Sequence, residues 1–490
     1  MPKNIMHRRD FLKFTGFASG ALALGGTAAA GYMSGADKTG NTGWGRAPYA
    51  KDQFFNRKPF LVATPTYEKV STPQRIQYLD NLFRRNGELG FYIRSLGEGG
   101  LEKVKEEGIS SLPDELKAYY TEHPKAFTEF FLTRESAQQQ RANWPEHKNR
   151  YMIADAWSKA HASPLRGREA YPPQPQGPPE EWDFQGVNPE PPKLKSAKHG
   201  AELIKKITHT FGATLVGVTA IKEEWVYQGI LRGVGKTNFE KPAHWKNAIV
   251  FAIPHEWESF YANPTYGTSY EAYTMLRFIA GKLETFIREI GFSSRSHVPP
   301  NSYDLIIPPL AIDAGLGEQG RHGVVITPEL GANTRLAAVT TDMPLEADTP
   351  VDLGIMKFCN KCKICAEECP SGAISFDDKP TRVVRGFRRW CTDQDKCFKV
   401  WNQVATSSAR GCRVCLSVCP YSRKNNWIHT FARELDPRDP TGVTASAMLA
   451  MQKQFFDYPG GSQYLPPPDG NNKTYGKAPD WLRTEEWFDF

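Results

Sequence analysis

The sequence predicts a mixed α+β protein, with an α/β sandwich over residues 196–354 followed by a short cysteine-rich segment at 355–422. Three observations predict it. Helical and strand-like apolar patterns alternate between Ser196 and Ile326, as in a layered α/β or α+β core. All nine cysteines fall between Cys359 and Cys419. The first thirty residues read as a targeting segment and stand outside the fold.

At 490 residues the chain exceeds what one core usually serves; at roughly 150 residues per domain, two to four units are expected. It is 40% hydrophobic and 23% charged, a globular composition. Of its formal charge of +7, the first thirty residues contribute +3 through Lys3, Arg8, Arg9 and Lys13 against Asp10. The remainder is too weakly basic, and too free of Lys/Arg tracts, to argue for a nucleic-acid partner.

In chain order, residues 1–30 have the form of a twin-arginine signal. Arg8-Arg9-Asp10-Phe11-Leu12-Lys13 precedes a weakly apolar, Gly/Ala-rich stretch from Phe14 to Ala30, ending in an A-x-A site at Ala28-Ala29-Ala30. A transmembrane helix is the alternative, but the glycines, alanines and cleavage pattern favour a signal. Residues 31–195 are mixed and polar, with a helical pattern at Thr72–Arg85 and a proline-rich connector at 163–195. Ser196 caps a helix with Leu203, Ile204, Ile207 and Phe211 on one face and Gly212 at its end. Ala213–Ile221 and Asn247–Ile253 read as strands. A long helix over Ser269–Ile290 carries Leu276, Ile279, Leu283, Phe286, Ile287 and Ile290 as a stripe and stops at Gly291. Asp304–Ile312 and Gly323–Ile326 are further apolar runs. The tail at 423–490, with Trp427, Trp481, Trp487 and Phe490, is expected to wrap the body.

A disulfide-stapled protein would spread its cysteines through the fold; crowding at regular spacing marks metal or cluster ligation. Cys359, Cys362, Cys365, Cys369 and Pro370 form C-x2-C-x2-C-x3-C-P, the bacterial ferredoxin spacing. Three cysteines three apart aim at three corners of a cubane, and the fourth is carried to a neighbouring cluster. The second run is Cys412, Cys415, Cys419 and Pro420, with Cys397 or Cys391 upstream. Zinc also uses C-x2-C pairs, but two runs each closed by Cys-Pro favour two [4Fe–4S] clusters. The first is expected to take Cys359, Cys362, Cys365 and Cys419. The second takes Cys369, Cys412, Cys415 and one of Cys391 and Cys397. Export of an already folded protein agrees with clusters inserted in the cytoplasm. No G-x-G-x-x-G opens a helix after a strand, and there is no P-loop.

The signal is followed in order by GATLVGVTAIKEEWVY at 212–227, YTMLRFIAGKLETFIREIGF at 273–292, AGLGEQGRHGVVITPELGANTRL at 314–336, TDMPLEADTPVDLGIMKFCNKCKICAEECPSGAIS at 341–375 and GCRVCLSVCPYSRKNNWIHT at 411–430. With these motifs the chain resembles the catalytic subunit of corrinoid-dependent reductive dehalogenases over about residues 200–430. The resemblance implies a nitroreductase-like α/β sandwich binding cobalamin, and a ferredoxin-like segment that delivers electrons. It implies Tyr273 as proton donor, Arg321 as its partner, Asn301 lining the same pocket and Trp401 closing the substrate pocket. The Trp401 match also selects Cys397 over Cys391 as cluster ligand. Tyr273 could instead be a core tyrosine, and Arg321 could cap a helix or bind a cofactor phosphate. The D-x-H-x-x-G cobalamin motif is absent, so a base-off corrinoid without protein ligation is implied.

Replacing carbon–halogen by carbon–hydrogen takes two electrons and one proton. A buried site offers no bulk acid, so a positioned donor is required. An arginine cation beside a tyrosine favours its ionised form, and low-valent cobalt carries the difficult step. The implied partners are an organohalide substrate, a small integral-membrane anchor protein, a respiratory electron-donor complex and, during export, the twin-arginine translocase, with no nucleic acid. The enzyme would lie peripherally on the outer face of the cytoplasmic membrane. Two other readings compete. One is an exported iron–sulfur electron-transfer subunit without corrinoid. The other is an epoxyqueuosine reductase-like enzyme, which acts on transfer RNA in the cytoplasm; the signal and the weak charge argue against it.

Overall fold

A four-stranded antiparallel sheet organises the computed structural model, which describes residues 60–142, 152–162, 191–228, 245–261, 269–299, 303–403, 412–422, 435–436, 439, 441–455 and 480–489. Its strands lie in the order Leu215–Ala220, Asn247–Ile253, Arg335–Thr341, Ser294–His297. Val218 stands opposite Ile249, Ile249 opposite Val339, and Ala338 opposite His297. Both faces are covered, so the two strands read from sequence are continuous apolar runs and do not alternate with polar residues. The period of two still sorts their side chains. Val216, Val218, Ile249, Phe251 and Ile253 pack under the helices Ala197–Thr210 and Tyr270–Glu289. Leu215, Ala248, Val250 and Ala252 face the other core, with Leu310 and Ala311 of the helix Ile307–Asp313.

The helix boundaries follow from local chemistry. Ser196 Oγ accepts the His199 backbone N–H at 3.2 Å, closing the first turn of its helix. Gly212 and Gly291 follow their helices at φ +114° and +105°, where an L side chain would be strained. Ser269 precedes Tyr270–Glu289 but makes no side-chain cap; its hydroxyl is used elsewhere, as described below.

Four features differ from the sequence reading. The strand Arg335–Thr341 is central to the sheet, and the edge strand Ser294–His297 is wholly buried although its sequence is SRSH. Several of its polar groups find partners: Arg295 pairs with Asp304 at 2.7 Å, His297 Nε2 meets Thr340 Oγ1 at 3.0 Å, and Ser294 Oγ donates to Glu284 O at 3.0 Å. Matched polar groups can be buried without the usual penalty. The pattern at Thr72–Arg85 makes a 3-10 turn at Tyr78–Asp80 and is α-helical only from Leu82, because Asn81 Oδ1 accepts the Phe83 N–H and caps a helix running to Ser95. The polar-looking region before the connector supplies the helices Leu82–Ser95, Gly100–Glu107, Asp114–Glu122, Pro124–Ala142 and Met152–Ala162. Leu89, Ile93, Val104, Leu116, Tyr120 and Phe127 place the first four of these in the same core as one face of the sheet.

The cysteine-rich segment folds as short helices, Ile355–Lys361, Ile364–Glu367, Gln394–Gln403 and Val414–Ser417, with a hairpin Arg382–Val384/Phe387–Arg389 that Glu68–Lys69 extends to three strands. In the tail, Lys361 Nζ donates to Gly442 O at 2.9 Å beside the helix Val443–Phe455, and Trp481 Nε1 donates to Glu258 Oε2 at 2.6 Å. The signal at 1–30, the connector up to residue 190, Asn301, Trp427 and Phe490 lie outside the described residues. Among the described residues no helix is long and apolar enough to cross a membrane.

Candidate functional site

The thiols fall into two sets. Cys359, Cys362, Cys365 and Cys419 line one cavity together with Arg321 and Tyr421. Burial pushes the Cys362 thiol up to about 12 and also raises Cys359 and Cys365, and the neighbouring thiols add to the effect on each. Cys369, Cys397, Cys412 and Cys415 form the second set. Burial pushes Cys397 up to about 12, with the Cys369 charge next and the Trp401 N–H opposing. Burial also raises Cys412 and Cys415, and Cys397 and Cys369 act on both. Cys397 is thus the thiol of its helix that joins this set. Thiols held neutral by burial become ligands when a cationic centre supplies the missing positive charge. Among the described residues no three His, Cys, Asp or Glu converge as ligands of a single ion do. The four thiols of the first set line one common cavity.

A second cluster of groups sits at one end of the sheet, where three core elements meet. Tyr273 lies in the first turn of Tyr270–Glu289. The guanidinium carbon of Arg335, the first residue of the central strand, is 5.4 Å from its ring centroid. Arg335 Nε donates to His255 Nε2 at 2.8 Å, and Arg335 Nη2 donates to Ser269 Oγ at 2.6 Å. His255 follows the strand Asn247–Ile253; its Nδ1 lies 2.9 Å from Asn333 Oδ1, which also accepts the His255 backbone N–H at 3.0 Å. An arginine donates only, so Nε2 is the acceptor and Nδ1 carries the proton. Burial first, and the Arg335 charge second, hold His255 well below the ordinary histidine range, so it is neutral. Tyr303 is half-buried here: desolvation raises its hydroxyl, Tyr227 adds to this, Arg84 opposes it and Tyr273 adds again. Arg84 lies 5.3 Å from the Tyr303 ring centroid.

Between this group and the second thiol set lie Glu271 and Arg413. Burial pushes the Glu271 carboxyl up to about 7 against the Arg413 charge. Arg413 Nη2 donates to Ser259 O at 3.1 Å. Among the described residues, Arg413 Nη1 and both Glu271 oxygens find no hydrogen-bond partner.

Arg321 is not the partner of Tyr273. It is 1% exposed, and its fork is consumed by backbone carbonyls of the cysteine-rich segment: Cys359, Asn360, Cys362, Ser375 and Asp377, at 2.7–3.4 Å. Its guanidinium carbon lies 4.2 Å from the Trp390 ring centroid. The arginine beside Tyr273 is Arg335. Trp401 packs against Phe83 at 5.7 Å and Phe398 at 6.3 Å, beside Cys397, and no described contact joins it to Tyr273. Asn301 lies outside the described residues. His255 and Arg335 were the residues the sequence reading missed. A histidine two residues past a buried strand, and an arginine opening the run RLAAVTT, were the available signals.

The family model described as a 4Fe-4S dicluster domain matches residues 358–423. A tetrachloroethene reductive dehalogenase from Sulfurospirillum multivorans is 29% identical over 337 residues, covering 62% of this chain and 65% of that protein. Another from Desulfitobacterium hafniense is 28% identical over 290 residues, 49% of this chain and 51% of that protein. A solved catabolic reductive dehalogenase in complex with 3-bromo-4-hydroxybenzoic acid superposes with a TM-score of 0.56 at 24% identity, covering 80% of this chain and 48% of that one. The chain spans about half to two thirds of the length of these relatives. The resemblance to reductive dehalogenases therefore holds in sequence and in fold, a mixed α+β core with a dicluster domain.

Proposed function

We propose that this chain is a reductive dehalogenase of anaerobic respiration, replacing a carbon–halogen bond by carbon–hydrogen with a corrinoid cobalt fed by two [4Fe–4S] clusters and a proton from Tyr273. The observation that carries the reading is the meeting, in one protein body, of two sets of four thiols with the Tyr273–Arg335–His255 group. The reaction takes two electrons and one proton. The thiol sets are suited to conduct the electrons, and the Tyr273 hydroxyl to hold the proton.

Arg335 faces the Tyr273 ring as a cation, and a cation there favours the tyrosinate left after the proton departs. His255 and Ser269 fix that cation by accepting two of its N–H groups. His255, neutral and locked in one tautomer, is a fixed acceptor. The unmatched Glu271 carboxylate and Arg413 Nη1 fit a macrocycle fringed with amides, which would complete their hydrogen bonds. When bound, the corrinoid supplies the low-valent cobalt on which carbon–halogen cleavage depends.

Arg8-Arg9 and the A-x-A site support export by the twin-arginine translocase. On the outer face of the cytoplasmic membrane, a small integral-membrane anchor protein would hold the enzyme and a respiratory complex would feed it. The test is anaerobic purification, metal analysis and assay with reduced viologen on tetrachloroethene and on a bromophenol. The expected result is about eight irons, one cobalt per chain, and release of halide. Zinc in place of iron, no retained corrinoid, or turnover of epoxyqueuosine-containing transfer RNA but no organohalide, would overturn the reading.

A further inference from the structure

We infer that Arg321 is a positioning and tuning residue of the first iron–sulfur cluster: its guanidinium fastens the backbone that carries Cys359 and Cys362 and raises that cluster's reduction potential. The inference rests on the dicluster reading alone and not on the dehalogenase activity.

The geometry is that of a clamp. Nε donates to Cys359 O at 3.1 Å and Cys362 O at 3.0 Å. Nη1 donates to Ser375 O and Asp377 O, both at 2.7 Å, and Nη2 to Cys359 O at 2.7 Å and Asn360 O at 3.4 Å. One side chain thus ties the end of the helix Ile355–Lys361 to the backbone at 375–377. Three residues earlier, Glu318 Oε2 accepts the N–H groups of Leu353 at 2.8 Å and Ile355 at 3.0 Å, at the start of the same helix. The turn 314–321 therefore grips the ligand-bearing helix at both ends, with a carboxylate on its free N–H groups and a cation on its free carbonyls. The turn is closely seated: a Cβ at Gly317 would stand 2.1 Å from Ile326 O.

The charge argument is separate. Among the residues lining the cavity of the first thiol set, Arg321 carries the fixed positive charge. Its guanidinium donates to Cys359 O and Cys362 O and lines the same cavity as the four thiols, so the charge stands against the ligand-bearing backbone. On reduction a [4Fe–4S] cluster takes up one electron and its net charge falls by one. A buried cation against it favours the reduced state and raises the potential, since cluster potentials follow local charge and burial.

The test is a dithionite titration followed by electron paramagnetic resonance, with iron analysis, on the purified full chain and its Arg321→Gln and Arg321→Lys variants. In Arg321→Gln, one of the two clusters should become harder to reduce by at least about tenfold in equilibrium constant, about 59 mV for a one-electron couple, while the other keeps its potential. Arg321→Lys, which keeps charge but loses the fork, should shift the same cluster less. If Arg321→Gln retains only half the iron, the fastening role is supported, and the tuning role is decided in the same variant reconstituted anaerobically with iron and sulfide: a downward shift supports it and the parent potential refutes it. Full iron with parent potentials in both variants, or equal shifts of both clusters, overturns the inference. A parent chain without iron would instead sink the dicluster reading.

Discussion

Tyr273→Phe removes one hydroxyl and leaves the ring in place against Arg335, so the 5.4 Å cation–ring contact and the 6.0 Å contact with Tyr270 survive. Folding and iron content should therefore match the parent, while loss of a general acid lowers turnover by ~10²–10⁴-fold, or roughly 3–5 kcal/mol of barrier. Arg335→Lys probes the same proton from the other side. A single ammonium cannot reproduce both the Nε bond to His255 and the Nη2 bond to Ser269. Losing one charged hydrogen bond costs about 1.5–3 kcal/mol, which sets the expected fall at ~10- to 10²-fold. Because both changes act on one proton, the double variant should be little worse than Tyr273→Phe alone. The assay is anaerobic halide release with reduced viologen, normalised to iron and cobalt. A Tyr273→Phe enzyme at the parent rate with full cofactor, or fully additive losses in the double variant, would refute the reasoning.

Three further outcomes are expected. Cys397→Ser should lower iron from about eight to about four per chain, whereas Cys391→Ser should leave it unchanged; equal losses would undo the ligand assignment. Burial raises Glu271 to about 7 from an ordinary 4.5, so between those values the folded state binds more protons than the unfolded one. Its contribution therefore falls as pH rises through that window. Glu271→Gln should accordingly raise the Tm relative to the parent more at pH 8 than at pH 5, by differential scanning fluorimetry, and a pH-independent difference would count against a buried carboxyl. Changing Arg8 and Arg9 together to lysine should leave the precursor in the cytoplasm on fractionation; normal maturation would point to another export route.

What could be read in the sequence was what local periodicity and spacing encode. Asn247–Ile253 is a strand at the boundaries its apolar run suggests, and Tyr270–Glu289 is a helix because its stripe repeats at the helical period and ends at a glycine in the left-handed region. The cysteine spacing separated the thiols into sets for the same reason, since cluster ligands are fixed by short loops. Ser294–His297 was not legible, because its burial depends on Asp304, Thr340 and Glu284, which reach it only through the tertiary fold. Nor was the boundary at Leu82, where a single asparagine cap outweighed the apolar pattern before it.

The two arginines show the limit most directly. Arg321 and Arg335 belong to one continuous motif, and nothing in their spacing states which approaches Tyr273. The outcome turns on the segment between them. Val325–Ile326 pairs back onto Glu318–Gln319, and Thr327 and Gly331 close a small turn. That reversal leaves Arg321 facing the ligand-bearing helix and sends the chain on to enter the sheet at Arg335. Gly331 has φ +61°, and a Cβ there would stand 2.0 Å from Tyr421 O, two residues past Cys419. The contact that sets the path to Arg335 is thus also a contact with the backbone that follows Cys419. A substitution at Gly331 should therefore disturb cluster content and Arg335 placement together, a coupling that neither arginine's sequence neighbourhood discloses.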